Sequence, residues 1–359
     1  MYASTCQTGL YQPGSLLLQW HITERCNVRC AHCYQEAYAG EELDLQGLLA
    51  VLEQFKGLLG TWRGRAGGRL PGHVTVTGGE PFVRHDFLDL LEALSAQRDG
   101  FSFAILTNGT FIDAAMAHRL RELGPSFVQV SIEGAQATHD GIRGPGNFER
   151  TVAAARHLVR AGVRTLIAFT AHPGNFREFP QVARLGRRVG AARVWADRLI
   201  PCGRGAGLGD GVLTPDETRQ FLDLMRQARA QAQRPWFFRR TEVAMQRALQ
   251  FLAGGGRPYH CTAGDSLLTV MPNGDVYPCR RMPIRVGNLR RVPLVELYYQ
   301  SDLLRALRDR ARISQGCQHC PYARLCRGGL RCLAHAVTDD PFQADPGCWL
   351  AQRQPGVSE

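Results

Sequence analysis

Cys26, Cys30 and Cys33 stand in one short run, Thr23-Glu24-Arg25-Cys26-Asn27-Val28-Arg29-Cys30-Ala31-His32-Cys33-Tyr34, with the spacing Cys-x3-Cys-x2-Cys. Three thiolates this close can hold three irons of one 4Fe–4S cube. A cube needs four ligands, so one iron would stay open to water or a substrate, much as a catalytic zinc keeps an open position. The spacing also suits a zinc site completed by His32, or unrelated buried cysteines. Of the 12 cysteines, seven more cluster late, at Cys261, Cys279, Cys317, Cys320, Cys326, Cys332 and Cys348, while Cys6 and Cys202 stand alone. A long chain without a signal segment is not a disulfide scaffold, so grouped cysteines point to metal binding or catalysis in a reducing compartment.

The elements that must position these thiols are legible as alternation. Short apolar runs at 16–22, 73–77, 101–106, 127–132, 165–170 and 193–200 read as buried parallel strands. Between them, Leu45, Leu48, Leu49, Leu52, Phe55 and Leu59 form one helical stripe, and Phe87, Leu90, Leu91 and Leu94 another. Six such units predict an α/β fold with helices outside a parallel sheet, whose ligands gather at the carboxyl ends of the strands. Thr214-Pro215-Asp216-Glu217 predicts a capped helix start, and a helical connector is expected to run to about Leu252 before Gly254-Gly255-Gly256. Segments 267–271 and 276–279, joined by Pro272-Asn273-Gly274-Asp275, predict a hairpin. The expected division is 1–211, 212–256 and 257–359.

Composition bounds the classes. Of 359 residues, 44% are hydrophobic and 21% charged, which is globular composition. No run approaches the roughly 20 apolar residues of a membrane span, so a cytoplasmic protein is expected. Basic residues number 43 against 32 acidic, a formal +11, and Lys56 is the only lysine. No block of basic charge stands out, so a solvated arginine surface is expected, and nucleic-acid binding is the least supported class.

Further motifs sit at the expected strand ends. Thr77-Gly78-Gly79-Glu80-Pro81-Phe82 follows the second strand, and paired glycines there let backbone approach a ligand closely. With the three-cysteine loop before it, the sequence resembles the radical S-adenosylmethionine (radical SAM) superfamily along nearly its whole length. The resemblance implies a partial (β/α)6 TIM-like barrel, with SAM held on the open iron of the cluster on Cys26, Cys30 and Cys33. Residues around Gly78, Gly79 and Glu80 would hold the methionyl amine. Asn108 ends the third unit. Ser131 and Glu133, in Val130-Ser131-Ile132-Glu133-Gly134, would meet the ribose hydroxyls. Arg143 would partner the SAM carboxylate, for which a guanidinium fork is suited, and Asn175 is a further contact. Reductive cleavage of SAM would give a 5′-deoxyadenosyl radical, which the barrel must aim at one substrate hydrogen while excluding water.

The later cysteines resemble the SPASM extension, a small cysteine-rich iron–sulfur domain of radical SAM enzymes that modify peptides and proteins. The resemblance implies two auxiliary 4Fe–4S clusters, three in all. Cys317, Cys320, Cys326 and Cys348 would hold the distal one, and Cys261, Cys279 and Cys332 the proximal one. This chain departs from the family in two ways. Five residues separate Cys326 from Cys332 where the family has three, with Leu330 at the usual position. Seven cysteines also cannot supply eight ligands, so the proximal cluster is expected to keep an open iron or to use His260, Asp265 or Cys202. Arg280 and Arg281 follow Cys279, where sulfatase-maturating relatives carry an aspartate base, which argues against that activity.

These resemblances imply an enzyme acting on a ribosomally made precursor peptide to install a crosslink or an oxidised side chain. A ferredoxin- or flavodoxin-type reductant is expected. Because Cys26 lies near the start, leader recognition would fall to a separate protein or to the arginine surface. Enzymatic action on a porphyrin or quinone precursor is the rival reading, and a non-catalytic iron–sulfur scaffold is a third.

Overall fold

The computed structural model describes residues 11–63, 71–98, 100–208, 211–233 and 241–351. Cys6 lies outside them. The strands are β1 (Leu16–His21), β2 (Gly72–Thr77), β3 (Ser102–Leu106), β4 (Val128–Ser131), β5 (Thr165–Ala171), β6 (Arg193–Arg198), β7 (Glu242–Val243), β8 (Leu267–Val270), β9 (Asp275–Tyr277) and β10 (Gly287–Asn288). They form one sheet in the order β10-β9-β8-β1-β2-β3-β4-β5-β6-β7. Neighbours from β1 to β7 pair in parallel, the pattern of a partial TIM-like barrel.

The connections are helical: α1 (Leu45–Arg63), α2 (Phe87–Ala96), α3 (Ala114–Leu123), α4 (Gln136–Arg143), α5 (Asn147–Arg160), α6 (Phe179–Val189) and α7 (Pro215–Gln233). Local chemistry sets their ends. Asp113 accepts the Met116 amide at the start of α3, and Gly124, at φ 68°, ends it. Thr214 and Glu217 exchange bonds across the start of α7, with the Glu217 amide donating to the threonine hydroxyl at 3.2 Å. The expected stripe of α2 is buried whole. That of α1 is rotated: Leu48, Val51, Leu52, Phe55, Leu58, Leu59 and Trp62 are buried, while Leu45 and Leu49 only pack against the core.

Alternation puts Leu16, Leu18 and Trp20 of β1 into the layer under the helices. The opposite face carries Gln19, in register with Thr75 of β2 and Thr269 of β8. That inner face mixes polar residues with apolar ones such as Leu17 and Leu267.

One further expectation is corrected. The segment expected as a helical connector to Leu252 contains β7, which pairs in parallel with β6 through Arg193↔Glu242 and Val194↔Val243. Two residues are too few for a periodic signal. The expected hairpin is present, with β8 and β9 antiparallel around Gly274 at φ 87°. β8 lies parallel to β1 (Leu17↔Leu267 to Trp20↔Val270), so the cysteine-rich region continues the barrel sheet.

Candidate functional site

The cluster loop leaves β1 at its carboxyl end and is laced to β2. The Gly79 amide donates to the Thr23 carbonyl at 2.8 Å and the Glu80 amide to that of Arg25 at 2.9 Å. A Cβ on Gly78 would sit 2.6 Å from the Thr23 oxygen, and one on Gly79 would collide with the Arg25 backbone. The two glycines therefore make room for the cysteine loop.

The loop presents its three sulfurs to donors. The Val28 amide lies 3.5 Å from the Cys26 sulfur and the Gln35 amide 3.4 Å from that of Cys33. Arg143 Nη1 lies 3.6 Å from the Cys30 sulfur, and Asn108 Nδ2 is 3.9 Å from Cys26 and 2.8 Å from Asn27 Oδ1. Burial, with the Glu80, Cys30 and Cys33 charges after it, pushes the Cys26 thiol up to about 11. Burial also raises Cys30, against the pull of Arg143. Among the described residues no three Cys, His, Asp or Glu side chains converge on a point that one metal ion could occupy. A cube, whose corners stand apart, does not need such convergence.

Two buried carboxylates hold the strand ends together. Glu80 accepts from the Thr107 hydroxyl (2.8 Å), the Asn108 amide (2.7 Å) and the Phe82 amide (3.3 Å), so it ties β2 to β3. Its burial pushes the carboxyl up to about 7. Glu133 is fully buried and pairs with Arg143 at 2.6 Å, His32 Nε2 at 3.1 Å and the Thr170 amide at 2.8 Å. Burial pushes its carboxyl up, but Arg143 and His32 outweigh this and hold it well below the usual range. The carboxylate expected to face a ribose thus faces the arginine expected to face SAM. Asn175 is buried and spent on backbone: it donates to the Glu133 and Thr170 carbonyls and accepts from the His172 amide. Ser131 is half-buried, and its hydroxyl bonds no other described residue.

The late cysteines fall into two sets. Burial raises Cys317 to about 11 and Cys326 to about 12; Cys348 and Cys320 add to the first, Cys348 and Cys317 to the second. Cys332 is fully inside and raised by burial, with Cys279 and Cys261 adding to it. Its two-residue displacement has a backbone cause. Arg327, Gly328 and Gly329 all take positive φ (59°, 90° and 75°), and the helix Arg331–Thr338 then starts with Cys332 in its first turn.

Ion pairs the sequence did not announce fasten this arrangement. Asp345 accepts from the Leu330 amide at 2.9 Å and pairs with Arg198 of β6 at 2.8 Å, which anchors the Cys348 segment. Arg281 pairs with Asp197 at 2.8 Å. Each partner is distant in sequence, and no local pattern could have named them.

Comparison with known proteins matches residues 20–186 to the radical SAM superfamily and residues 261–321 to SPASM, an iron–sulfur cluster-binding domain. The chain carries a radical SAM domain joined to a SPASM domain. Among curated relatives, this radical SAM chain is 28% identical to an AdoMet-dependent heme synthase of Nitratidesulfovibrio vulgaris, over 95% of this chain and 94% of that protein. It is 29% identical to the mycofactocin maturase MftC of Mycolicibacterium smegmatis, over 95% of this chain and 84% of that protein. Its fold matches native anSMEcpe with bound AdoMet (TM-score 0.68, 18% identity, 94% of this chain and 95% of that one). It also matches Streptococcus suis SuiB bound to S-adenosylmethionine (0.69, 16%, 93% and 77%). The two domains imply 4Fe–4S clusters and SAM. The donor set fits: grouped thiols at a barrel mouth, with amide and guanidinium donors turned to their sulfurs, suit an anionic thiolate-bound cluster.

Proposed function

We propose that this protein is a radical SAM/SPASM peptide maturase. It takes a hydrogen atom from a ribosomally made precursor peptide and leaves a crosslink or an oxidised side chain. The observation that carries this reading is the joining of the cysteine-rich region to the barrel sheet, where β8 lies parallel to β1, the strand that leads into the loop of Cys26, Cys30 and Cys33. The mycofactocin maturase relative supports the substrate class.

In this reading Cys26, Cys30 and Cys33 hold the SAM-binding cluster. Cys317, Cys320, Cys326 and Cys348 hold the distal auxiliary cluster, and Cys261, Cys279 and Cys332 belong to the proximal one, three clusters in all. When bound, the first cluster and SAM supply a 5′-deoxyadenosyl radical on receipt of one electron from a ferredoxin- or flavodoxin-type reductant. The chain's own residues orient and exclude. The backbone at Gly78–Glu80 meets the methionyl amine, and the free Ser131 hydroxyl meets the ribose. Arg143, aimed by Glu133, brings positive charge to Cys30 and to the SAM carboxylate. Glu80 and Asn175 keep the ends of β2 and β5 in place. A closed mouth keeps water and other hydrogen donors away.

The heme-synthase relative, which matches along nearly the full length of both chains, favours a second reading: hydrogen abstraction from a tetrapyrrole. Anaerobic turnover with SAM separates the two. Cys- or aromatic-repeat peptides encoded beside the gene should stimulate 5′-deoxyadenosine release and lose mass as hydrogen. Stimulation by iron-coproporphyrin instead, with no peptide response, overturns the peptide reading. No 5′-deoxyadenosine under any condition leaves the scaffold reading.

A further inference from the structure

Side chains alternate along β6. Val194 faces α6, where a Cβ on Gly186 would collide with it, so Arg193, Trp195 and Asp197 take the opposite side, the inner wall of the barrel. The Trp195 indole N–H donates to Gln129 Oε1 of β4 at 2.8 Å, across β5. Register sets Ser131 of β4 beside Ala168 of β5, and Ala168 beside Trp195. One row of the wall is therefore a hydroxyl, a methyl group and a half-buried indole.

Charge on this wall is matched, with one exception. Arg193 pairs with Glu242 at 2.8 Å, and Asp197 pairs with Arg281 at 2.8 Å. Arg247, half-buried in the loop after β7, lays its guanidinium on the Trp195 ring, 4.7 Å from the centroid, and makes no ion pair among the described residues. Asp197 is its candidate counter-charge. Burial pushes that carboxyl up, and Arg281, Arg247 and Arg198 outweigh it and hold the carboxyl low, but of the first two only Arg281 stands within pairing distance. Arg198 is taken by Asp345. Two guanidiniums thus share one carboxylate, and one positive charge is left on the wall.

That charge is posed for a ligand. Stacking on the indole covers one face of the guanidinium and fixes its plane, while the donors on its edge are spent on no carboxylate. A carboxylate is the group that matches such a fork. Ala168 puts only a methyl group between Trp195 and Ser131, so no bulky side chain stands in the way of a substrate lying along this row.

We propose that Arg247, held on Trp195, binds a carboxylate of the substrate. This deepens the maturase reading and rests on it, because that reading has the Ser131 hydroxyl meet the SAM ribose. Two strand spacings, about 10 Å, separate Ser131 from Trp195. A substrate anchored by its carboxylate at one end of the row therefore brings to the ribose end a C–H bond about that far from the anchor. The carboxylate comes from an acidic side chain or the chain end of a peptide, or from a propionate if the tetrapyrrole reading holds. Arg247 makes and breaks no bond; it selects and orients.

The test uses the anaerobically reconstituted full chain and pairs of probes that differ only in the charge of their carboxylates. One pair is a peptide encoded beside the gene, with free acids and with the same acids as amides. The other is iron-coproporphyrin as the free acid and as its methyl ester. Dissociation constants are measured by equilibrium dialysis without reductant, so that no turnover occurs. The acid form of one pair should bind roughly 10- to 100-fold more tightly than its neutral partner, the worth of a charge-assisted pair. Arg247→Met should bring that ratio close to one, and Arg247→Lys should keep part of it. Acid and neutral forms are compared within each variant, so a general loss of folding weakens both and does not mimic the effect. A ratio in the peptide pair identifies an acidic peptide, and a ratio in the porphyrin pair a tetrapyrrole carboxylate; either supports the proposal. It is overturned if every pair binds the parent alike, if no probe binds, or if Arg247→Met keeps the ratio. Release of 5′-deoxyadenosine with SAM and reductant judges the maturase reading separately. Equal stimulation by acid and amide peptides that also bind alike sinks the carboxylate site and leaves the maturase standing. A porphyrin ratio that depends on Arg247, with no stimulation by any peptide, sinks the maturase reading alone.

Discussion

A buried carboxylate is a proton store or a counter-ion according to what faces it, and the mouth holds one of each. Glu80 faces a hydroxyl and two amides and no cation within bonding distance, so burial raises it to about 7. The folded chain then keeps a proton that the unfolded chain releases near its ordinary value. Glu80 therefore stabilises the fold fully below about pH 4.5, and that contribution is lost as pH rises through about 7. Between about pH 5 and pH 8 the loss should reach on the order of 2–3 kcal/mol, read as a falling urea midpoint, and Glu80→Gln should flatten the slope. Glu133 is the counter-ion. Glu133→Gln strands Arg143 in the interior and should cost roughly 3–5 kcal/mol; Arg143→Met in the same chain should restore part of it in a double-mutant cycle. Both glutamates were legible as mouth residues because they sit in strand-end motifs. Their pairing with Thr107, Thr170 and His32 was not, since these come from other strands and loops and only folding makes them neighbours.

At the scale of elements, what matters is how closely backbones approach. Gly79→Ala would drive a methyl group into the Arg25 backbone and push the cysteine loop off β2. The expected outcome is loss of the first cluster, about four irons per chain by iron assay, while the auxiliary thiols keep theirs. Loss of all iron, or of none, would contradict the tie between this glycine and that loop. The six long strands, the α2 stripe and the capped start of α7 were readable because each repeats a period or carries its cap locally. β7 and β10, two residues each, exist only through pairing with β6 and β9. The displaced Cys332 was visible as an irregular spacing. Its cause was not, because the sequence does not announce that Arg327 joins two glycines in the left-handed region. Asp345, which bonds Leu330 and Arg198, holds the turn that follows. Asp345→Ala should leave Arg198 buried without its partner, lower stability by roughly 3–5 kcal/mol and weaken distal-cluster retention, measured as faster iron release to a chelator.

Across the whole molecule, the barrel and the cysteine-rich region share one sheet and so stand or fall together. A proline in place of Leu268, in the middle of β8, removes a ladder donor and should open the pairing to β1. Hydrogen exchange should then quicken in β1 as well as in β8; unchanged protection in β1 would mean that the two regions fold independently. This seam also fixes an order of events during synthesis. β1 gains one neighbour, β2, soon after it leaves the ribosome, while on its other side Gln19 meets Thr269, 250 residues later. Contacts that distant form slowly. Until then the strand that leads into the thiol loop is an uncovered border, open to pairing with foreign chains. Iron delivered to the nascent polypeptide would meet an unfinished harbour, so metal loading belongs after translation has ended.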